Sequence, residues 1–410
     1  MIFLLIAGAL APLAIMFGDR VIKVENMIIT IPGMLQDGIR IPKEFLNGFI
    51  LLGIIFYGLG YCKLKPFRNP VIFLCIAWAF FVSIISKYEF SFYFLFYVLL
   101  GFSAIAILSS IIKDRKFDNN VKIFLKCIAY VGLLQCLFTT CQALVLDQFF
   151  TVKSTHFGYR IGDGGFSLRM VGFVGNPSLL GIYLAMILPI YLYLRQRWAY
   201  LAFILALVTI YACDSQTGWI SAIVSVLFYL FFANRKVFLM LSAIMLILTC
   251  ISGFYYPSHK DRINKILDGT GRIETWGKAY YEWIDKENKY TLGAITGHGL
   301  RSWEYEIGMA ESDPMKQWHE AHNDWLQILY ETGIIGFSLY IVLIFIIFKT
   351  FLMDLTNEKL AMMSGLVSFG VSGFTLFPLY SSCIVLYVII FAGLILNKKG
   401  ENICLKKLFV

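Results

Sequence analysis

Residues 318 to 337 read WHEAHNDWLQILYETGIIGF, two histidines and three acidic residues followed by an apolar run. Two histidines one helical turn apart with a glutamate between them, H-E-x-x-H, would hold zinc. Here His322 comes one residue too soon after His319, and position 323 is Asn. A metal site of another kind is the lesser reading, and His319 reads as a solvated surface histidine. The stronger reading is a general base. Asp324 followed by Gln327 resembles a capping box, with Asn323 as the competing cap, so His322 stands just outside the start of a helix. The positive end of that helix favours a bound anion and a neutral imidazole, the state in which histidine accepts a proton.

Asp324, Gln327 and Glu331 recur at i, i+3 and i+7 and run toward the membrane. A carboxylate facing lipid costs roughly 2.5 kcal/mol or more, so this stripe must face the bundle interior or a wet cavity. Two arginines offer complementary charge. Arg169 precedes a glycine-rich approach to Asn176-Pro177, an N-cap and first-turn proline, where a cation beside a helix start suits an anion; taken alone, Arg169 reads equally as a lipid-headgroup anchor. Arg272 opens GTGRIETWGKAYYEW (269–283), whose Ile273, Trp276, Tyr280 and Trp283 share one helical face, as expected of a helix on the membrane surface. GAITGHGLRSW (293–303), with His298 at its centre, reads as a loop that brings backbone close to another segment.

The elements that hold these residues are membrane helices. The 410 residues are 59% hydrophobic and 15% charged, with mean hydropathy +0.73, which excludes a soluble globule. About twelve candidate spans follow: 1–17, 45–62, 71–86, 90–112, 121–146, 177–194, 199–213, 217–233, 237–256, 324–348, 358–377 and 379–397. The seventh and eighth are short and joined through YACDSQTGW. Short basic loops, with Lys63, Lys113, Arg195, Arg235, Lys349 and Lys359 among their charges, place both termini in the cytoplasm. The net charge of +9 is then a topology signal and argues against a nucleic-acid partner. The ALA at 9–11 is not read as a signal cleavage site, since Pro12 follows it and no basic region precedes it. The nine cysteines lie in or beside spans and read as small apolar residues. The chain divides into helices one to five (1–146), helices six to nine with their preceding loop (147–256), a large external loop (257–323), helices ten to twelve (324–397) and a tail (398–410).

His322, Asn323, nine residues, Gly333, two residues and Gly336 together resemble the H-N-x(9)-G-x-x-G signature of bacterial O-antigen ligases and their polymerase relatives. Arg169 before the helix start, Arg272 with Trp276, the GHG loop and the twelve-span layout extend the resemblance, which covers the C-terminal half. It implies an all-α, GT-C-like glycosyltransferase in the inner membrane that acts on its periplasmic side without a metal or other cofactor. The donor would be an undecaprenyl-pyrophosphate-linked glycan, held by Arg169 and Arg272. The acceptor would be a lipid A–core sugar hydroxyl, activated by His322. Many relatives carry an arginine in the turn that is SQTGW here, where this chain has Gly218. A polymerase joining lipid-linked repeat units is the close alternative. A polysaccharide flippase is the alternative of another class, against which the large external loop and the lack of internal symmetry argue.

Overall fold

The computed structural model describes residues 6–7, 10, 22–24, 27–29, 43–64, 69–87, 90–112, 115–149, 159–162, 165–168, 170, 172, 174, 176–255, 276–277, 279–281, 291–308 and 321–397. Arg169, Arg272, His319 and most of the first candidate span lie outside them.

Apolar sequence becomes helix wherever the reading placed a described span. The helices are α1 (Lys43–Tyr61), α2 (Pro70–Ile85), α3 (Phe90–Ser110), α4 (Arg115–Phe149), α5 (Pro177–Leu194), α6 (Arg197–Ala212), α7 (Gln216–Ala233), α8 (Arg235–Tyr255), α9 (Thr291–Thr296), α10 (Asp324–Met353), α11 (Asn357–Ser372) and α12 (Ser382–Leu396). Two antiparallel hairpins, β1 (Ile22–Val24) with β2 (Met27–Ile29) and β3 (Tyr159–Gly162) with β4 (Gly165–Leu168), fall between the first and second and between the fifth and sixth candidate spans. By length and composition, four described segments suffice to cross a membrane: Phe117–Cys141, Pro177–Leu194, Gln216–Ala233 and Asp324–Met353. Shorter apolar helices surround them. The chain is a helical polytopic membrane protein.

A helix apolar on every face belongs in the middle of a bundle, and α5 sits there. Every residue from Leu179 to Tyr191 is buried. It packs against α4, α6, α7 and α11. Small residues let backbones approach without side chains between them. A Cβ on Gly218 would fall 3.0 Å from the Cα of Gly181, and one on Gly365 would fall 2.9 Å from the carbonyl oxygen of Met186. Ser225 closes the seam by donating to the carbonyl of Ala185 at 3.0 Å. A side chain at position 218 would press on the backbone of α5. The outer helices show lipid-ready faces, with Phe49, Phe56, Phe73, Leu201, Ile204 and Phe345 exposed.

Spans seven and eight are separate helices. The chain turns through Cys213 and Asp214, the latter in the left-handed region at φ 46°, and Ser215 caps α7 by accepting from the Gly218 amide. Lys359 corrects part of the topology argument. It is only 3% exposed and donates to Asp354 at 2.8 Å and to the carbonyls of Ile395 and Asn397 at 2.7 Å. It is a buried clasp on the end of α12, so it carries no weight as a loop charge.

Candidate functional site

The helix starts named in the sequence converge on one end of the bundle. Asn176 caps α5, its side chain accepting from the amides of Ser178 at 2.9 Å and Leu179 at 3.1 Å. Just ahead of it, the Met170 amide donates to the carbonyl of Ala212 at the end of α6. Gly172, at φ 53°, lies so close to Gln135, Thr139 and Leu180 that a Cβ would collide with them. Met170 and Gly172, between Arg169 and Asn176, are thus docked on α4, on the first turn of α5 and on the end of α6. Thr217, in the first turn of α7, hydrogen-bonds Thr375 at 2.7 Å. Thr375 belongs to the turn after α11, which also receives α10.

At α10 the choice between two caps is settled: Asn323 is the cap, accepting from the Leu326 amide at 3.0 Å. Asp324 works outward. Its Oδ2 accepts from the Leu379 amide at 2.9 Å, and its own amide donates to the Gly373 carbonyl at 2.8 Å and the Leu376 carbonyl at 3.3 Å. Gln327 reaches back past the cap. Its Oε1 accepts from the Ala321 amide at 3.0 Å, and its Nε2 donates to Glu331 at 3.0 Å. The polar stripe faces inward as its cost in lipid requires, with Asp324 4%, Gln327 0% and Glu331 1% exposed.

His322 sits between these anchors. Ala321 before it is fixed on both sides of its backbone, the amide by Gln327 and the carbonyl by the Trp276 indole Nε1, which donates at 2.6 Å. Asn323 after it is the cap. His322 itself adopts φ 52°, a left-handed conformation uncommon outside glycine and enriched at functional sites. Its ring meets Phe377 edge-on, with centroids 4.8 Å apart. The Trp276 contact also ties the helical turn that follows Arg272 to the His322 loop. Trp276 and Ala279 pack inward with Trp303, Ile307, Ala321, Leu326 and Tyr330. Tyr280, placed on the apolar face by spacing alone, is instead 54% exposed, because Ala279 takes the inner position.

Gly333 breaks α10. Its φ of 66° and ψ of −176° lie in a region accessible essentially to glycine. Three carbonyls just before the break accept from outside the helix. The Tyr330 carbonyl accepts from the His298 amide at 3.2 Å, that of Glu331 from the Gly299 amide at 3.0 Å, and that of Thr332 from the Trp78 indole at 2.9 Å. The GHG loop does bring backbone close to another segment, and that segment is this break. Gly336 follows because a Cβ there would fall 2.4 Å from the Thr332 side chain and 2.6 Å from the Trp78 Nε1. His298 supports the break from above. Its ring stacks on Tyr330 with centroids 4.5 Å apart, and its Nδ1 lies 3.2 Å from a Glu306 oxygen that also accepts from the Tyr330 hydroxyl. Among the described residues no cluster of three or more His, Cys, Asp or Glu could hold a metal ion.

Sequence reasoning missed three contributors: the 373–379 turn, Trp78 and the Arg301–Glu304 pair. Arg301 stands inside the quoted GHGLRSW string, and that position was its available signal. It lies 3.3 Å from Glu304 and over the Phe94 ring.

The described half-helix Asp324–Thr332 is therefore a short polar segment with a fixed histidine at its positive end. No curated protein matches the chain. Residues 201–341, about a third of it, match the family model Wzy_C, described as O-antigen ligase. That stretch runs from α6 into α10 and contains His322, Asn323, Gly333 and Gly336, so the likeness to O-antigen ligases covers the start of α10 and its break.

Proposed function

We propose that this protein is an O-antigen ligase, a glycosyltransferase that moves a glycan from undecaprenyl pyrophosphate to a sugar hydroxyl of lipid A–core on the periplasmic side of the inner membrane. The observation that carries the reading is the fixed position of His322 at the N-terminus of α10, inside the family match. The acceptor hydroxyl gives its proton to the neutral His322 imidazole as its oxygen attacks the anomeric carbon of the donor sugar. The bond from that carbon to the phosphate oxygen breaks, and its electron pair leaves with the pyrophosphate. Arg169 and Arg272 hold the pyrophosphate, because forked guanidinium groups suit phosphate oxygens and neutralise charge that grows in the transition state. The docking of Met170 and of Trp276 supports this assignment by bringing their neighbourhoods to the same end of the bundle. Twelve spans in a GT-C-like arrangement with cytoplasmic termini complete the proposal, and the transfer needs no metal.

The test is transfer by the purified protein from lipid-linked donor, offering lipid A–core and a second lipid-linked repeat in separate assays. Product on core alone supports a ligase. Product on the lipid-linked repeat alone makes the protein a polymerase, and no transfer to either acceptor sinks the enzymatic reading. Full activity in an Arg169→Ala/Arg272→Ala double variant would overturn the pyrophosphate assignment.

A further inference from the structure

The outer seam between α4 and α6 takes no part in the site above. The two helices pack together, and both begin at the end of the bundle opposite His322, so their exposed stripes run side by side. On α4 the stripe is Lys126, Leu134 and Leu137, and on α6 it is Arg197, Leu201 and Ile204. From Lys126 to Leu137 the rise is roughly 16 Å at ~1.5 Å per residue, about half of a ~30 Å hydrocarbon core. Each stripe passes from a cation to bare aliphatic side chains over the depth of one leaflet.

The groups between the stripes are fixed. Tyr130 of α4 and Trp198 of α6 stack across the seam, with centroids 4.5 Å apart and ring planes 7° from parallel. The Trp198 indole donates to the Gln196 side chain, and the Gln196 carbonyl accepts from the amides of Ala199 at 3.0 Å and Tyr200 at 3.1 Å. Arg195, at φ 52°, turns the chain and hydrogen-bonds the Tyr229 hydroxyl on α7. Lys122, a turn before Lys126, lies 3.9 Å from Glu358. Lys126 and Arg197 have no ion-pair partner among the described residues. Two unpaired cations above a rigid ring pair and an aliphatic wall match a phospholipid in order: phosphate, glycerol, acyl chains. Interfacial aromatic rings sit at headgroup level, and basic pockets between helices favour lipids of net negative charge.

We propose that the α4–α6 seam binds an anionic phospholipid of the leaflet at that end, with its phosphate between Lys126 and Arg197 and its glycerol against the Tyr130–Trp198 pair. Its acyl chains follow Leu134, Leu137, Leu201 and Ile204. The site is separate from glycan transfer and holds whether or not the His322 reading does.

The test is native mass spectrometry of the full-length protein released from nanodiscs of equimolar phosphatidylglycerol and phosphatidylcholine with identical acyl chains. Wild type should retain phosphatidylglycerol over phosphatidylcholine about tenfold, the scale set by two interfacial cations. Lys126→Gln combined with Arg197→Gln should bring the ratio near one, and Arg197→Gln alone should lower it if the double variant fails to fold. Arg235→Gln combined with Lys236→Gln removes the same charge at the start of α8, which packs on α7 at the same end, and should leave the ratio unchanged. Trp198→Leu should lower retention of both lipids. A wild-type ratio near one, an equal fall in the two double variants, or unchanged retention in Trp198→Leu would overturn the site. Full displacement by soluble glycerol phosphate would overturn the lipid assignment by showing that a free anion suffices. A lipid-free dimeric mass that Leu201→Arg converts to monomer would overturn it in favour of a second copy of the chain.

Discussion

Gly297 and Gly333 meet backbone to backbone. A Cβ on Gly297 would fall 2.3 Å from the Glu331 carbonyl oxygen, and one on Gly333 would fall 2.3 Å from that of Ile295. Both also sit at positive φ, 84° and 66°. Gly333→Ala should therefore do more than strain one residue: it should push the GHG loop off α10. Backbone strain of this kind costs about 1–3 kcal/mol before any clash is counted. A lowered melting temperature in detergent and lost transfer are expected, and wild-type values for both would remove the break from the working site. Gly297→Ala should behave alike, and the double variant should not recover.

Gln327 joins the His322 loop to Glu331. Gln327→Leu keeps the volume but leaves the Ala321 amide and the Glu331 carboxylate short of a buried partner, at about 1–3 kcal/mol for such a group. Loosening the base by about 1 Å can lower the rate as much as ~10²-fold. Transfer kinetics should show kcat falling while KM for the acceptor holds. An unaltered kcat in folded protein would mean that the loop is held without Gln327.

His322 must be neutral to accept the acceptor's proton. Transfer should then fall with decreasing pH along a one-proton limb, and the rate at the plateau should drop ~10²–10⁴-fold in His322→Ala. The residual activity of His322→Ala should lose the acid limb. A variant that keeps the wild-type pH profile would assign the titration to another group.

Lys359 and Asp354 form a buried pair at the opposite end of the bundle. Lys359→Met strands the carboxylate, and breaking a buried pair in this way costs ~3–5 kcal/mol. Lys359→Met combined with Asp354→Leu should recover part of the loss, because both charges are then gone. Melting curves of the three variants decide it, and an unaltered single variant would show that Lys359 is not the clasp on α12.

Most helices were legible because lipid demands long apolar runs, and Asn176-Pro177 was legible because a cap and a first-turn proline act locally. Asn323 and Asp324 could not be ranked from sequence. Both can cap, and the Leu379, Gly373 and Leu376 contacts that draw Asp324 away come from a turn some fifty residues later. The break at Gly333 was invisible for a similar reason. Hydropathy continues through Ile334 and Ile335, and the partners that make a bent backbone affordable lie at His298, Gly299 and Trp78. Lys359 misled because a lysine beside a short loop is usually solvated, and nothing local reveals the carbonyls at the end of α12.

The three carbonyls before Gly333 accept from two distant stretches of the polypeptide, one of which, Trp78, lies well outside residues 201–341. The bend in α10 is thus a joint property of both halves of the protein. Grafted into a foreign N-terminal half without an indole at that place, the matched segment would tend to straighten, and the histidine at its tip would swing away with it. The portion that looks most portable by sequence likeness is in this respect the least self-sufficient.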